Sequence, residues 1–533
     1  MTFREKRVVR NMTKYLLKRL LHGAFSVICV VGIVMILIYS MMNRDLVFAN
    51  DTTFTHQSNN SRYTYMYSKW EEYGYLDYVP YTDYLLSLLK EGEIDEGIYS
   101  EASKIGNKPE KDSDIAADYI EKFTTEYSEK GYTIERFDAV QKRGKIATGG
   151  KAALFAHKDL SVLVRLWRYF AHLITIDNIH TVQEDVGERG LTFTWHDPLY
   201  GGEKFAPALM GNGTKHKYLI YTDSRFPYIH QNLIALNLGV SYTVNNGVDV
   251  TTTMNRSQGS YISSMTIYPT GYTEESADDL HSAVYAAGSR ENNPVYQTRF
   301  TDDYTNIQLV RGGRSKLGYS FIIGILEVIL AYVLGFPLGV MMARRKDKLS
   351  DKIGTIYIVF IIAVPSLAYI FLFKAIGGKI GLPTTFSMEN TTWPMYVLPI
   401  ISLALPSIAS LMKWMRRYMI DQMNSDYVKF ARSGGLSERE IFSKHIMKNA
   451  SVPMLHSLPA DLLFAMTGAI ITERVYSVPG AGNLLTQAIN KYDNSVIVGL
   501  TLFYAVLSVV ALILGDILMA IVDPRISFNT KAR

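Results

Sequence analysis

The stretch DYVKFARSGGLSEREIFSKHIMKNASVP, residues 426–453, lies between two strongly apolar segments, yet it is charged and is broken by Gly434-Gly435. Lys and Arg outnumber Asp and Glu along it, the bias of segments that a membrane-crossing chain keeps on the cytoplasmic side. Its spacing predicts a short helix over Tyr427–Ser433, a Gly-Gly turn, and a second helix from Ser437 onward. Ser437 is placed to cap that helix, with Glu438 and Glu440 in the first turn, where the helix dipole favours acids.

Charge divides the rest of the chain in the same way. Residues 43–315 hold 27 Lys+Arg against 36 Asp+Glu, while the remainder holds 28 against 14. The basic remainder also carries the long apolar runs, so its charge reads as positive-inside membrane flanks and not as a nucleic-acid surface. Cys29 is the one cysteine, which excludes an intramolecular disulfide and cysteine-built zinc or iron–sulfur sites.

Residues 1–19 form a basic N-terminus, followed by an apolar run over 20–42. This run is long enough to span, and no small-x-small cleavage site follows it, so it reads as a retained anchor. Residues 43–315 contain no spanning run. They predict a mixed α/β domain, with helical periodicity over 81–140, a turn at TGGKAALF and an amphipathic helix in DLSVLVRLWRYFAHLITI. Short alternating runs fill 190–310, with a hairpin at Asn245-Asn246-Gly247. Residues 316–533 then carry five more apolar segments, near 317–342, 353–376, 394–412, 455–472 and 495–522. Every basic loop falls on one side if the N-terminus is cytoplasmic. The expectation is therefore a polytopic α-helical membrane protein of six transmembrane helices, both termini inside, with 43–315 extracellular between helices 1 and 2.

The opening stretch resembles the cytoplasmic "EAA" loop of ABC-transporter permeases in its peptide-permease form, D-Y-V-x-x-A-R-x-x-G-L-S followed by H-x-x-x-N-A-x-x-P. Asp426, Tyr427, Val428, Ala431, Arg432, Gly435, Leu436, Ser437, His445, Asn449, Ala450 and Pro453 fall into place. Lys429 and Phe430 depart from the general Glu-Ala-Ala consensus. Further on, GAIITERVYSVPGAGNLL, NKYDNSVIVGL and DPRIS are similar to the C-terminal third of these permeases. The positions include Glu473, Pro479, Gly480, Gly482, Asp493 and Asp523-Pro524-Arg525-Ile526, with Ser495-Val496 replacing a usual proline. Span two matches E-x7-G-x-P-x-G-V, and KYLLKRLL resembles the start of the B-type subunit. The resemblance covers residues 10–42 and 315–530. The large segment between helices 1 and 2 is the main departure and resembles the subset with an enlarged extracellular insertion.

What the resemblance implies is a permease fold and one transmembrane subunit of an ATP-driven importer of oligopeptides. The implied partners are a homologous second permease subunit, two cytoplasmic ATPase subunits, an extracellular peptide-binding lipoprotein, the peptide itself and membrane lipid. ATP and Mg would sit on the ATPase chains, because this sequence has no G-x-x-x-x-G-K-[ST] phosphate loop and so no cofactor of its own. Coupling would run through loop 413–454, with Ala431 and Gly435 allowing close approach, Tyr427 and Leu436 as apolar contacts, and Arg432, Arg439 and Lys444 at the rim. Glu473, Pro479, Gly480 and Gly482 would shape an outer loop. Dipeptides, nickel chelates or other small solutes remain open as cargo, and so does a membrane-anchored peptide sensor.

From the residues themselves, three acids fall inside apolar spans: Glu327, Asp461 and Asp516. Such acids are either functional or engaged in hydrogen bonds between helices. The scattered histidines lack metal-ligand spacing, and no G-x-S-x-G nucleophile elbow occurs. The tyrosines of residues 43–315 suit either a peptide-binding face or ordinary packing.

Overall fold

A computed structural model describes residues 3–222, 228–255, 263–309, 315–387 and 391–522. The Asp523–Ile526 motif lies outside the described residues. The chain opens with helix α1 (Phe3–Met41), apolar from Lys14 onward. A domain follows before the next long helix.

The first half of this domain is built on a three-stranded antiparallel sheet. Its strands are β1 (Leu76–Pro80), β2 (Thr133–Phe137) and β3 (Ala153–Asp159), in the order β1-β3-β2. Helices α2 (Asn59–Glu72), α3 (Tyr81–Glu91) and α4 (Asp114–Glu129) cover it. The tyrosines supply its core: Tyr67, Tyr73, Tyr75 and Tyr78 pack with Trp70 and Phe155, and Tyr81 and Tyr84 pack with Phe123. Tyrosine suits this thin core because its ring buries area while its hydroxyl finds a partner, as when Tyr81 donates to the Ala102 carbonyl.

The amphipathic stretch after this sheet does not stay helical for 18 residues. Helix α5 (Val162–Ala171) ends there, and β4 (Ile174–Ile176) begins, because β-branched Ile174, Thr175 and Ile176 favour extended chain. The second half of the domain holds a four-stranded antiparallel sheet. It comprises β5 (Gly190–Thr194), β6 (Ala208–Asn212), β7 (Tyr218–Thr222) and β8 (Ile229–Gln231), with β8 and β5 at the edges. Strand β9 (Ile234–Leu236) returns to pair with β4. The expected hairpin then appears as β10 (Val240–Ser241) and β11 (Val248–Asp249), turning through Gly247 at φ +77°.

At the centre of the second half, His281 is buried between two carboxylates. Its Nε2 lies 2.6 Å from Asp197 Oδ2 and its Nδ1 lies 3.4 Å from Asp279 Oδ1. Burial alone lowers the imidazole pKa, but hydrogen bonds and charge from Asp197 and Asp279 outweigh it, and the net direction is up. Burial pushes Asp279 up, but the hydrogen bond and charge of His281 bring it below its usual value.

Beyond the domain, α6 (Lys316–Arg344) crosses against α9 (Pro394–Met423). Gly335 and Gly339 make the close crossing possible. A Cβ on either would lie 2.9 Å from Leu411 Cβ or 2.8 Å from Met415 Cβ, the geometry that a small-xxx-small pair permits. Between these two helices the expected single span over 353–376 is instead broken. Helices α7 (Leu349–Ala363) and α8 (Ser366–Lys379) meet at 108°. Pro365 lacks an N–H and drives Val364 to extended backbone at ψ 130°. At 1.5 Å per residue each arm reaches only about 21–23 Å, short of a hydrocarbon core of about 30 Å.

The basic stretch forms α10 (Asp426–Ser433). The second helix there and the fifth span are one rod. It runs from Glu438 through a π-helical turn (Ile441–Ile446) into α11 (Met447–Tyr476). Helices α12 (Ala481–Asn490) and α13 (Asn494–Val522) complete the fold. Among the described residues five helices are long and apolar enough to cross a membrane, or six if the bent pair counts as one.

Asp493 joins the domain to this bundle. Fully buried, its Oδ2 accepts from Ser241 Oγ at 2.7 Å and from the backbone N–H groups of Tyr242, Thr243 and Val244 at 3.2, 3.1 and 3.0 Å. Asn494 continues the joint: its N–H donates to Tyr242 Oη at 2.6 Å and its Nδ2 to Tyr75 Oη at 2.7 Å.

Two outcomes follow from these buried charges. Asp493→Ala orphans the Ser241 hydroxyl and three backbone N–H groups, at a cost of about 1–3 kcal/mol for each that stays buried and unpaired. Limited proteolysis of the solubilised chain should then cut within 238–255 much faster than in wild type; an unchanged rate would show that Asp493 does not moor this segment. For His281, the raised folded pKa means a stabilisation fully present below its ordinary value of about 6.5 and lost as pH rises through the folded value. Asp279 adds the opposite edge, a contribution lost only as pH falls through its depressed value. Amide protection at 196–200 and 279–283, corrected for intrinsic exchange, should therefore weaken above neutral pH in wild type. In His281→Gln that dependence should be absent.

Candidate functional site

Helix α10 is held to the bundle by one face. Val428 is buried against Met419, Ile441, Ile446 and Ala450, and half-buried Tyr427 donates to Gln422 Oε1 at 2.8 Å. The helix stops in a left-handed turn. Gly435 at φ +80° sends its N–H to the Arg432 carbonyl, and the Leu436 N–H bonds the Ala431 carbonyl. This is a Schellman closure, which requires glycine for backbone reasons alone, and nothing lies within 4 Å of where a Gly435 Cβ would stand. Ser437 then caps the next turn reciprocally with Glu440, as the spacing predicted.

Most of the loop's charge is spent within the chain. Arg432 grips both carboxylate oxygens of Glu438 at 2.5 and 3.1 Å; Lys429 pairs with Asp426 and Lys444 with Glu440. Arg439 is exposed. The residue that stands out is Phe430. Its ring is 75% exposed at the solvent side of α10, with Leu436 partly exposed beside the turn. Sequence reasoning passed over Phe430 as a departure from the consensus. An apolar ring on an otherwise charged, amphipathic octamer was the available signal.

The base of this platform is welded by an ion pair that sequence did not reveal. Arg416 near the end of α9 donates through Nε and Nη2 to Asp351 Oδ1 and Oδ2 at 2.6 and 2.7 Å. Asp351 also accepts the Asp347 N–H at 2.9 Å. The fork geometry is the strongest form of carboxylate pairing, and it ties the first turn of α7 to α9.

The three intramembrane acids separate. Glu327 on α6 and Asp461 on α11 line one cavity of about 300 Å³, together with Tyr332, Ser402, Ser407 and Ser410. Asp461 Oδ2 accepts from Tyr332 Oη at 2.7 Å and Ser457 Oγ at 3.0 Å. Glu327 is 1% exposed, and among the described residues its oxygens have no hydrogen-bond partner within bonding geometry, although the Ser407 hydroxyl stands close by. Asp516 lies elsewhere, locking α13 to α1 through Tyr15 Oη at 2.8 Å and Arg19 at 3.0 Å.

Glu473, Pro479, Gly480 and Gly482 come together, and Glu473 is no loop residue. It sits fully buried in the last turn of α11. Its Oε1 accepts from Ser320 Oγ at 2.5 Å and its Oε2 from the Asn483 N–H at 3.0 Å, while Ser320 Oγ accepts the Ala481 N–H at 2.8 Å. The carboxylate thus occupies the N-terminal end of α12, where orphan N–H groups and the dipole favour it. Gly480 lets α12 pass over it, since a Cβ there would stand 2.3 Å from the carboxyl atoms; one on Gly482 would stand 2.7 Å from Ile470 Cα.

Comparison with known proteins agrees with this architecture. Residues 335–528 match the family described as the binding-protein-dependent transport system inner membrane component. The chain is 33% identical over 527 residues to the oligopeptide transport system permease protein AmiC of Streptococcus pneumoniae, covering 98% of this chain and 99% of that one. The chain belongs to the binding-protein-dependent permease family. A dipeptide transport system permease protein, DppB of Lactococcus lactis subsp. cremoris, is 34% identical over 229 residues, 42% of this permease and 73% of its own length. A solved amino acid ABC transporter aligns with 40% of this permease and 92% of its own chain at TM-score 0.31 and 17% identity. The family match and the apolar helices make the permease a multi-pass membrane component of a transporter.

The Glu473 cluster makes one test sharp. Gly480→Ala forces a methyl group into the buried carboxylate, a clash worth about 1–3 kcal/mol. The detergent-solubilised permease should melt several degrees lower as a result. An unchanged melting temperature would show that α12 has room to shift.

Proposed function

We propose that this permease is one transmembrane subunit of an ATP-driven importer of oligopeptides. Its partners would be a homologous second permease subunit, two ATPase subunits, and an extracellular peptide-binding lipoprotein that delivers the peptide. ATP and Mg belong to the ATPase chains in this reading. The full-length likeness to an oligopeptide permease supports the cargo class, and the positive-inside bias supports cytoplasmic termini, a cytoplasmic loop 413–454 and an extracellular domain at 43–315.

The observation that carries the coupling claim is Phe430, a bare aromatic ring on a helix whose other face is built into the bundle. Burying such a ring in an ATPase groove is worth about 1.5–3 kcal/mol. Exposed ion pairs are worth about 0–1 kcal/mol each, and here Arg432, Lys429 and Lys444 already have partners in the same chain. The apolar contact therefore dominates docking. Motion of the groove would pass through Val428 and the rod from Glu438 to Tyr476 into the spans. There the Glu327–Asp461 cavity offers hydrogen-bond acceptors inside the bundle, where a peptide's ammonium and amide groups would need them.

Phe430→Asp should leave the fold intact, because the ring is exposed. It should cut labelled tetrapeptide uptake by at least about ten-fold and release the ATPase subunits on purification, in line with a loss of 1.4 kcal/mol or more. Phe430→Leu should retain most of both. Normal uptake and copurification in Phe430→Asp would overturn the assignment.

A further inference from the structure

Helix α5 stands outside the spanning bundle but touches it deeply. Leu166 Cδ2 lies 3.5 Å from where a Cβ on Gly32 would stand, and Leu166, Tyr169 and Phe170 pack among Val27, Val31 and Met35 of α1. Gly32 precedes the end of α1 by nine residues, about 14 Å along the helix axis at 1.5 Å per residue. Higher on α1, the Arg165 guanidinium lies 5.0 Å from the Tyr39 ring centre. So α5 runs beside the last turns of an apolar span, below the point where that span ends.

The polar side chains of α5 face away from this level. Arg165 donates to the Tyr75 carbonyl at 2.7 Å and the Leu160 carbonyl at 3.0 Å, and Arg168 holds both oxygens of Asp77 at 2.6 and 3.0 Å. All four bonds lead into the domain. The opposite face is apolar and uncovered. Leu163 and Trp167, one turn apart, are 72% and 74% exposed. The adjoining β4–β9 ribbon bears a second apolar face, with exposed Ile174 registered against exposed Leu236 and exposed Ile176 against exposed Ile234, so all four side chains share one side of the ribbon. Where the ribbon ends, Leu238 is buried against Val250 and the first turns of α13. The uncovered face is thus flanked by contacts with α1 at one end and with α13 at the other.

We propose that α5 and the β4–β9 ribbon form an in-plane membrane anchor, seating the inserted domain in the headgroup–acyl boundary of the lipid bilayer. An amphipathic helix with its arginines raised and its Trp and Leu lowered has the composition of such an anchor, which sinks about 5–10 Å. Tryptophan is the side chain favoured at that depth. In water the same face would be an uncovered apolar patch of the kind monomeric soluble domains avoid. The anchor adds a lipid contact to the Asp493 joint in setting the tilt of the domain against the membrane.

The test uses nitroxide labels on the full complex in vesicles of phosphatidylcholine and phosphatidylglycerol. Starting from Cys29→Ser, single labels enter through Trp167→Cys, Ile176→Cys and, as an exposed reference, Lys204→Cys. Labels at 167 and 176 should collide with oxygen and be shielded from a water-soluble nickel chelate, by roughly five-fold or more relative to 204, as expected for groups in the acyl boundary. Nickel accessibility equal to that at 204 would overturn the proposal by placing the face in water. Shielding from both reagents would overturn it in favour of a protein partner. Retained peptide uptake by each labelled complex establishes that the fold is intact.

Discussion

Asp493 is the point on which the two halves of the molecule turn. A buried carboxylate is costly unless its oxygens are saturated with donors. Here one oxygen gathers a hydroxyl and three consecutive backbone N–H groups from the domain, and the residue sits at the start of α13. The N–H groups of residues 242–244 belong to a tight turn and have no strand to pair with, so they in turn need the carboxylate. Each side of the joint is incomplete without the other, and it adds a polar lock to the apolar packing of the domain on α1 and α13. Glu473 repeats the device within the bundle, completing the N-terminal end of α12 as Asp493 completes the turn over α13.

Features set by local chemistry were legible in the sequence. The Ser437 cap, the Asn-Asn-Gly hairpin, the turn at Gly434-Gly435 and the apolar rods follow from short-range preferences, and the structure contains them. Features set by pairing across distance were not. Nothing near Arg416 points to Asp351, 65 residues earlier, and Tyr332 becomes a ligand of Asp461 only because α6 and α11 cross there. The broken helix at Pro365 was legible in principle, yet the hydropathy over 353–376 is uniform enough to hide it. Acids inside the spans were easy to find and hard to assign: Glu327 and Asp461 share a cavity, while Asp516 answers to Arg19.

The basic loop shows how misleading a charge count is when partners lie in the same chain. Its cations looked available for a neighbour, but most are neutralised within a few residues by Asp426, Glu438 and Glu440. Of these pairs Arg432–Glu438 bridges α10 to the rod that follows, and the other two lie within one helix each. What is left facing outward is an aromatic ring and a partly exposed leucine. The loop is better described as a stiff mount for a small apolar contact than as an electrostatic patch.

The π turn over Ile441–Ile446 gives that mount a phase. A π turn carries one residue more than an α turn, and one residue is about 100° of rotation around a helix. Ile441 and Ile446 pack with Val428 at one end of the rod, and Asp461 lines the cavity further along it. In regular α-helix two residues five apart stand about 140° apart around the axis. The extra residue in the turn instead brings Ile441 and Ile446 together into the cluster that buries Val428, so the start of the rod presents one apolar face to α10.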